Sequence, residues 1–262
     1  MTKANYHTHT SRCHHATGSD EDYVRSALKG GYEILGFSDH TPWPYASGFV
    51  SRTRMLPSEL EGYVQSLRAL KEQYKGQLEL DIKIGLECEY YPAMRSWLSE
   101  LKEAFGLDYL IFGNHHYPSD EECAYFGMNT TDEYMLHRYE QSILEGMETG
   151  YYTYVAHPDL FMGSYPQFDK HCEEVSRNIC REAKKRGLPL EYNLGYAAYV
   201  EMMGQTLFPY PDFWQIAKEE GCDAIIGIDA HQPLMLEITT YYNQAKKFLE
   251  KLGINRLETL DL

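Results

Sequence analysis

The sequence predicts an α/β barrel of about seven strand–helix units, with a parallel sheet inside and helices outside. Three observations point there. Short apolar runs alternate with helical patterns along the chain, with no internal repeat and no low-complexity linker. The length, 262 residues, suits one such barrel, read as a single domain over residues 1–262. Histidines and carboxylates stand where the apolar runs end, which in a parallel barrel is one shared face.

Asn5 to His9 reads as the first strand. Asp20 to Lys29 reads as a helix stopped by Gly30-Gly31. Ile34 to Phe37 is a short apolar strand running into Asp39-His40. Ser58 is placed to open a long helix, with Glu61 three residues on as a capping box requires, and Gly76 to end it. Leu60, Tyr63, Val64, Leu67 and Leu70 give that helix its apolar face. Leu80, Ile82, Ile84 and Leu86 alternate with polar neighbours and lead into Glu87. Tyr109 to Phe112 leads to Asn114-His115-His116, and Tyr151 to Ala156 to His157-Pro158-Asp159. Asp169 to Arg186 is helical, and Pro189 to Asn193 is a strand carrying Glu191 and Asn193. Asp223 to Ile228 is the last strand, ending at Asp229-Ala230-His231, and Met235 to Leu252 closes the chain as a helix.

Composition narrows the function classes. A net charge of -15 repels nucleic-acid backbones, whose binding rests on Lys and Arg, so a nucleic-acid partner is not expected. No apolar run reaches the roughly 18 residues of a membrane helix, and the N-terminus lacks a signal-like apolar stretch; a cytoplasmic protein is expected. The six cysteines form no Cys-x-x-Cys pair and are read as reduced thiols.

The 11 histidines carry the strongest signal. His7-Thr8-His9, His14-His15, Asp39-His40, Glu87, His115-His116, His157 and Asp229-Ala230-His231 recur at run ends in chain order. Imidazole with carboxylate suits Zn, Mn or Fe. Residues two apart on a strand share a side, so His7 and His9 can hold one ion together, and Asp229 and His231 have the same spacing. Taken singly each is weak: Asp39-His40 or His157-Pro158 can be a turn, and Glu87 a salt-bridge partner. Taken together they predict a metal site. His137 and His171 fall in helical stretches and are read as exposed or capping.

The chain resembles the PHP superfamily (polymerase and histidinol phosphatase), most of all its monofunctional histidinol-phosphate phosphatases. The resemblance rests on Tyr6-His7-Thr8-His9-Thr10, Cys13-His14-His15-Ala16, Phe37-Ser38-Asp39-His40, Gly85-Leu86-Glu87, Gly113-Asn114-His115-His116, Ala156-His157-Pro158-Asp159 and Ile228-Asp229-Ala230-His231. It implies a distorted seven-stranded β/α (TIM-like) barrel holding two to three divalent transition metal ions. By motif, His7, His9, Glu87 and Asp229 are implied ligands of a first ion, and Glu87, His116 and His157 of a second, with Glu87 bridging. His15, His40 and His231 are implied for a third. His15 is preferred to His14 because it precedes Ala16, and His116 to His115 because it stands three residues after Gly113.

The implied activity is hydrolysis of a small phosphate monoester, L-histidinol phosphate to L-histidinol and phosphate, in histidine biosynthesis. Glu87, Asp229 and His231 would serve the chemistry, in which a water held between ions loses a proton near neutral pH and becomes the nucleophile. Arg54, Arg12, His14 and His115 are candidate contacts to the substrate or its phosphate, each arginine being otherwise a solvated surface residue. One departure concerns substrate: where the family shows a basic residue shortly after its strand-end Asn, this chain reads Asn193-Leu194-Gly195-Tyr196-Ala197-Ala198-Tyr199. The competing readings are a PHP phosphatase or phosphodiesterase for another small ester, such as a nucleotide, and a non-catalytic metal-binding module.

Overall fold

A computed structural model of the chain describes residues 2–75, 80–204 and 207–262. Its strands are β1 (Ala4–Asn5), β2 (Ile34–His40), β3 (Asp81–Cys88), β4 (Tyr109–Gly113), β5 (Tyr154–Ala156), β6 (Leu190–Asn193), β7 (Asp223–Gly227) and β8 (Asn255–Arg256). They form one 8-stranded sheet in sequence order, with every pair parallel. Between them run α1 (Asp20–Lys29), α2 (Leu60–Tyr74), α3 (Arg95–Phe105), α4 (Phe126–Asn129), α5 (Glu133–Glu148), α6 (Lys170–Arg186), α7 (Ala197–Met203), α8 (Pro211–Glu219), α9 (Leu234–Glu237) and α10 (Thr239–Leu252). The sheet curls until the segment after β1 meets the segment after β7: Thr8 bridges to Ala230, and the His9 N–H donates to the Ala230 carbonyl at 2.9 Å. That contact closes a ring of seven strands at its C-terminal rim. The short β8 extends the sheet past β7, one strand more than expected.

The two-residue period of the strands sorts side chains into two compartments. Tyr109 and Ile111, Tyr154 and Ala156, and Ile225 face the interior with Tyr6. Their neighbours Leu110, Phe112, Val155, Ala224 and Ile226 face outward into the larger core beneath the helices. Tyr109 fills the interior. Its hydroxyl donates to the Tyr6 carbonyl at 2.6 Å and the Phe37 carbonyl at 3.0 Å. The close approach needs glycine on the next strands, because a Cβ at Gly36 would strike that hydroxyl and one at Gly85 would lie 2.7 Å from the ring.

Several boundaries differ from expectation: β5 starts at Tyr154 rather than Tyr151, β2 runs on to His40, and three more differ at Ser58, Ile238 and Asn5. Ser58 does not cap α2. A short 3-10 turn, Pro57–Glu59, precedes the helix, and the Glu59 carboxylate accepts the Leu56 N–H at 2.7 Å. The helix expected over Met235 to Leu252 is broken at Ile238, whose extended ψ of 92° interrupts the ladder. The break lets α9 dock on α1, where Glu237 accepts from Ser26 at 2.8 Å and pairs with Lys29 at 3.0 Å. The first strand ends at Asn5, and residues 7–9 bond both to Ser38 of β2 and to Ala230 after β7. The stop expected at Gly76 lies outside the described residues. Among the described residues no helix is long and apolar enough to cross a membrane.

Tyr109→Phe should destabilise the fold by about 1–3 kcal/mol, because two buried carbonyls lose their shared donor. Chemical denaturation of the two proteins side by side checks this; equal midpoints would show that the hydroxyl carries no net stability.

Candidate metal centre

The interior positions nearest the C-terminal rim are reserved for polar groups. Counting inward-facing residues up β4, Tyr109 and Ile111 are followed by Gly113, where a Cβ would strike the Glu87 carboxylate. On β7, Ile225 is followed by Gly227, where a Cβ would strike Glu191. The glycines leave room for Glu87 and Glu191, both fully buried at the top of the interior. Two strand-end residues, His157 (φ 29°) and Asp229 (φ 52°), adopt a left-handed backbone that disfavours side chains other than glycine's. Such local strain persists only where surrounding contacts hold it, and it is concentrated at functional sites.

The hydrogen bonds decide which ring nitrogen of each histidine is free. His7 Nδ1 lies 2.8 Å from Glu191 Oε1, and His115 Nδ1 lies 2.9 Å from Glu89 Oε1. His15 Nδ1 lies 2.7 Å from the Cys13 carbonyl, and His231 Nδ1 3.1 Å from the Asp229 carbonyl. These oxygens only accept, so each Nδ1 carries the proton, and in the neutral ring Nε2 is left as a bare lone pair. The Nε2 atoms then face one another: His7 and His9 at 3.1 Å, His115 and His157 at 3.2 Å, His15 and His231 at 3.0 Å. In the His15–His231 pair both Nδ1 atoms carry the proton, so two lone pairs oppose each other and repel unless a proton or cation lies between them.

Two carboxylates sit among these nitrogens. Glu87 Oε1 lies 2.8 Å from His157 Nε2 and 3.2 Å from His115 Nε2. Glu87 Oε2 lies 3.0 Å from His40 Nδ1 and 3.4 Å from His9 Nε2. Asp229 Oδ1 lies 3.1 Å from His9 Nε2 and 3.4 Å from His7 Nε2. Yet Glu87 Oε2 and Asp229 Oδ1 are buried without a hydrogen-bond partner among the described residues. A buried anionic oxygen so placed is costly unless a cation meets it. The donor set therefore fits divalent ions, and His7, His9 and Asp229, or His7, Glu87 and His157, can converge on one point.

Charge perturbs the groups accordingly. Burial opposes charge on His7, but Asp229, Glu191 and Glu87 outweigh it and hold its pKa well above the ordinary value. Burial likewise opposes charge on His115, and Glu87 and Glu89 raise it to about 9. Burial, then repulsion from His9, pushes His40 and His231 down to about 3. Burial disfavours the charged forms of Glu87 and Asp229, yet the surrounding imidazoles keep both well below the carboxylate range.

Of the expected ligands, His7, His9, His15, His40, Glu87, His157, Asp229 and His231 are all brought into this cluster. The second doublet comes out the other way. His115 points inward onto Glu87, whereas His116 is turned to the rim, its Nδ1 donating to the Cys123 carbonyl at 2.8 Å. His115 faces the interior with Glu87 and Glu89, while His116 lines the cavity beside it with its Nδ1 held by the Cys123 carbonyl. The remaining expected contacts also move. Arg12 is held by Asp20 at 2.8 and 3.0 Å, against the Tyr63 ring and away from the cavity. His14 is exposed and caps a short turn with φ 66°. Arg54 does line the cavity, but it is buried in ion pairs with Glu89 and Asp120. His137 and His171 pair with Glu140 and Glu133 away from the centre.

Three residues outside the expected ligand set support the cluster. Glu191 orients His7 and Glu89 orients His115. Asp39 takes the Thr10 N–H at 3.2 Å and stands 3.5 Å from His9 Nδ1. The alternation Glu87-Cys88-Glu89 was the available signal for Glu89, since it puts both carboxylates on one side. Above the cluster opens a cavity of about 570 Å³, walled on one side by Tyr125, Met128, Tyr196, Phe208 and Met235.

Comparison with known proteins shows the family and the fold. The family model described as "PHP domain" matches residues 5–195. A Deinococcus radiodurans protein named "Probable histidinol-phosphatase" is 28% identical over 244 residues, covering 87% of this chain and 85% of that protein. The Bacillus subtilis histidinol-phosphatase is 26% identical over 261 residues, covering 88% and 94%. In fold, the chain is similar to the Lactococcus lactis histidinol phosphate phosphatase solved with zinc, L-histidinol and phosphate. The TM-score is 0.72 at 20% identity, covering 100% of this chain and 99% of that one.

Two predictions follow from the nitrogen geometry. His115→Ala should lower the number of tightly held ions per chain, whereas His116→Ala should leave it unchanged; elemental analysis after gel filtration reads both, and the reverse pattern would restore His116 as the ligand. The second concerns pH. With a folded pKa of about 9 against 6.5 unfolded, His115 stabilises the metal-free chain fully below 6.5 and loses that contribution as pH rises through 9. Ions displace those protons, so their affinity rises over the same window. The melting-temperature gap between metal-loaded and metal-free protein should widen from pH 6.5 to 9, and a constant gap would contradict the protonation argument.

Proposed function

Because the chain belongs to the PHP domain family, we propose that it is a metal-dependent phosphomonoesterase that hydrolyses L-histidinol phosphate to L-histidinol and inorganic phosphate. One observation carries the reading. Paired imidazole nitrogens and orphaned carboxylate oxygens meet at the floor of a cavity, in a chain aligned with histidinol-phosphatases over most of its length.

His7, His9, Glu87 and Asp229 would hold a first ion, Glu87, His115 and His157 a second, and His15, His40 and His231 a third. Glu87 is the natural bridge, since its two oxygens face different histidines. Bound divalent ions would supply Lewis acidity, making a water nucleophilic near neutral pH and neutralising the phosphoryl charge. The chain's own side chains do the placing. Glu191 fixes the His7 ring, and Asp39 faces His9 from behind. Arg54 is the one Lys or Arg among the described residues lining the cavity, and its charge is already balanced by Glu89 and Asp120. A phosphate dianion in this cavity therefore depends on the ions for its counter-charge. The aromatic wall suits a leaving alcohol that carries a flat ring such as imidazole. Burial raises the pKa of Tyr125 and Tyr196, which keeps their hydroxyls protonated as donors.

Phosphate release from histidinol phosphate, mononucleotides and sugar phosphates tests the assignment. Histidinol phosphate should give the highest kcat/KM; turnover of nucleotides alone would move the reading to another small ester. Chelation should abolish activity, and Zn, Mn or Fe should restore it. Glu87→Gln should cut kcat by about 100-fold or more, because the bridging charge is lost while the shape is kept.

A further inference from the structure

Glu89 is a fully buried carboxylate with four hydrogen-bond contacts from three residues. Arg54 Nη2 donates to Oε1 at 2.9 Å and Nη1 to Oε2 at 3.0 Å. The Trp43 indole N–H donates to Oε2 at 2.9 Å, and His115 Nδ1 meets Oε1 at 2.9 Å. Each oxygen thus has two donors, which saturates the carboxylate and pins its plane. Arg54 is equally committed. Nη1 also donates to the Thr41 carbonyl at 3.0 Å, and Nε reaches Asp120 at 3.2 Å and Ser51 at 3.3 Å. One Nη2 proton is left without a partner among the described residues, so a two-pronged grip on phosphate is not open to it.

We propose that Glu89, held by Arg54 and Trp43, is the positioning residue of the second ion site. It fixes His115 with its Nε2 lone pair toward Glu87, and Arg54 thereby acts on that ion rather than on the phosphate. The inference rests on the reading of His115 as a ligand. The physical logic is that of a carboxylate–histidine–metal relay, in which the outer carboxylate sets the tautomer and basicity of the ligating ring. Arg54 has a distinct part in it. A second carboxylate beside Glu87 would otherwise carry an unpaired buried charge or compete for the ion itself. The bidentate guanidinium binds that charge in place. Arg54 comes from the loop after β2 and Asp120 from the loop after β4, so both loops are tied to the orientation of one ligand.

The test loads zinc into the unaltered chain, Glu89→Gln and Arg54→Lys, then challenges each with a colorimetric chelator and counts ions released per chain. Both variants should lose one ion about 10–100-fold more readily and keep the others. At saturating zinc, affinity for inorganic phosphate, read by calorimetry, should stay that of the unaltered chain. Unchanged ion retention with weakened phosphate binding would make Arg54 a phosphate contact and overturn the proposal. Equal loss of every ion would reduce Glu89 to a general structural role and overturn it as well. If Glu89→Gln fails to fold by circular dichroism, Trp43→Phe, which removes one donor to the same carboxylate, gives the same comparison with a smaller loss. An unaltered chain that holds its ions but does not cleave histidinol phosphate would sink the substrate assignment and leave the ion comparison standing.

Discussion

The convergence of imidazole nitrogens on the buried carboxylates Glu87 and Asp229 is the constraint on which the rest of the molecule depends. Each Nδ1 of His7, His15, His115 and His231 is committed to an accepting oxygen, so each neutral ring turns its Nε2 lone pair toward the centre. The chain places these groups against Glu87 Oε2 and Asp229 Oδ1, which lack hydrogen bonds of their own. An apolar interior of the same volume would be cheaper to fold. The arrangement makes physical sense as a receptacle for positive charge, and the surrounding architecture reads as its support: Gly113 and Gly227 clear its volume, and the strained backbones of His157 and Asp229 aim its ligands.

The parallel barrel suits this purpose because it separates two jobs along each strand. The lower interior, filled by Tyr109, Ile111, Tyr154 and Ile225, supplies rigidity through close packing. The upper interior supplies chemistry. The same two-residue alternation runs through both, so a register error in β3 would turn Glu87 and Glu89 outward and put Cys88 in the site. The seven-strand ring closes where residues 7–9 meet residues 228–230, bringing the His-x-His pair beside Asp229 and His231. Closure of the fold and assembly of the centre are one event.

The net charge of -15 fits the same picture. An acidic chain that binds a phosphate ester needs local positive charge. Its two candidate arginines are neutralised within the protein, Arg12 by Asp20 and Arg54 by Glu89 and Asp120. The absence of a basic residue after Asn193 leaves the same stretch to Tyr196 and Tyr199. The cavity thus has two distinct parts, an imidazole and carboxylate cluster on its floor and aromatic rings on its wall.

The linear sequence by itself determined the fold class and most of the centre. Period and strand-end placement are local properties, and His7, His9, His40, Glu87, His157 and Asp229 each terminate an apolar run. It did not determine the choice within His115-His116, because adjacent residues differ only in which side of the rim they face, and that depends on how the chain leaves β4. Nor did it determine the partner of Arg54. Asp120 is 66 residues away in sequence, and Glu89 35, and only the meeting of loops at one end of the barrel brings them together. The helix break at Ile238 was hidden for the same reason, since it answers to packing of α9 on α1 rather than to local propensity. The residue types of the cluster were written in local pattern; which of them face one another was decided by contacts between segments far apart in the chain.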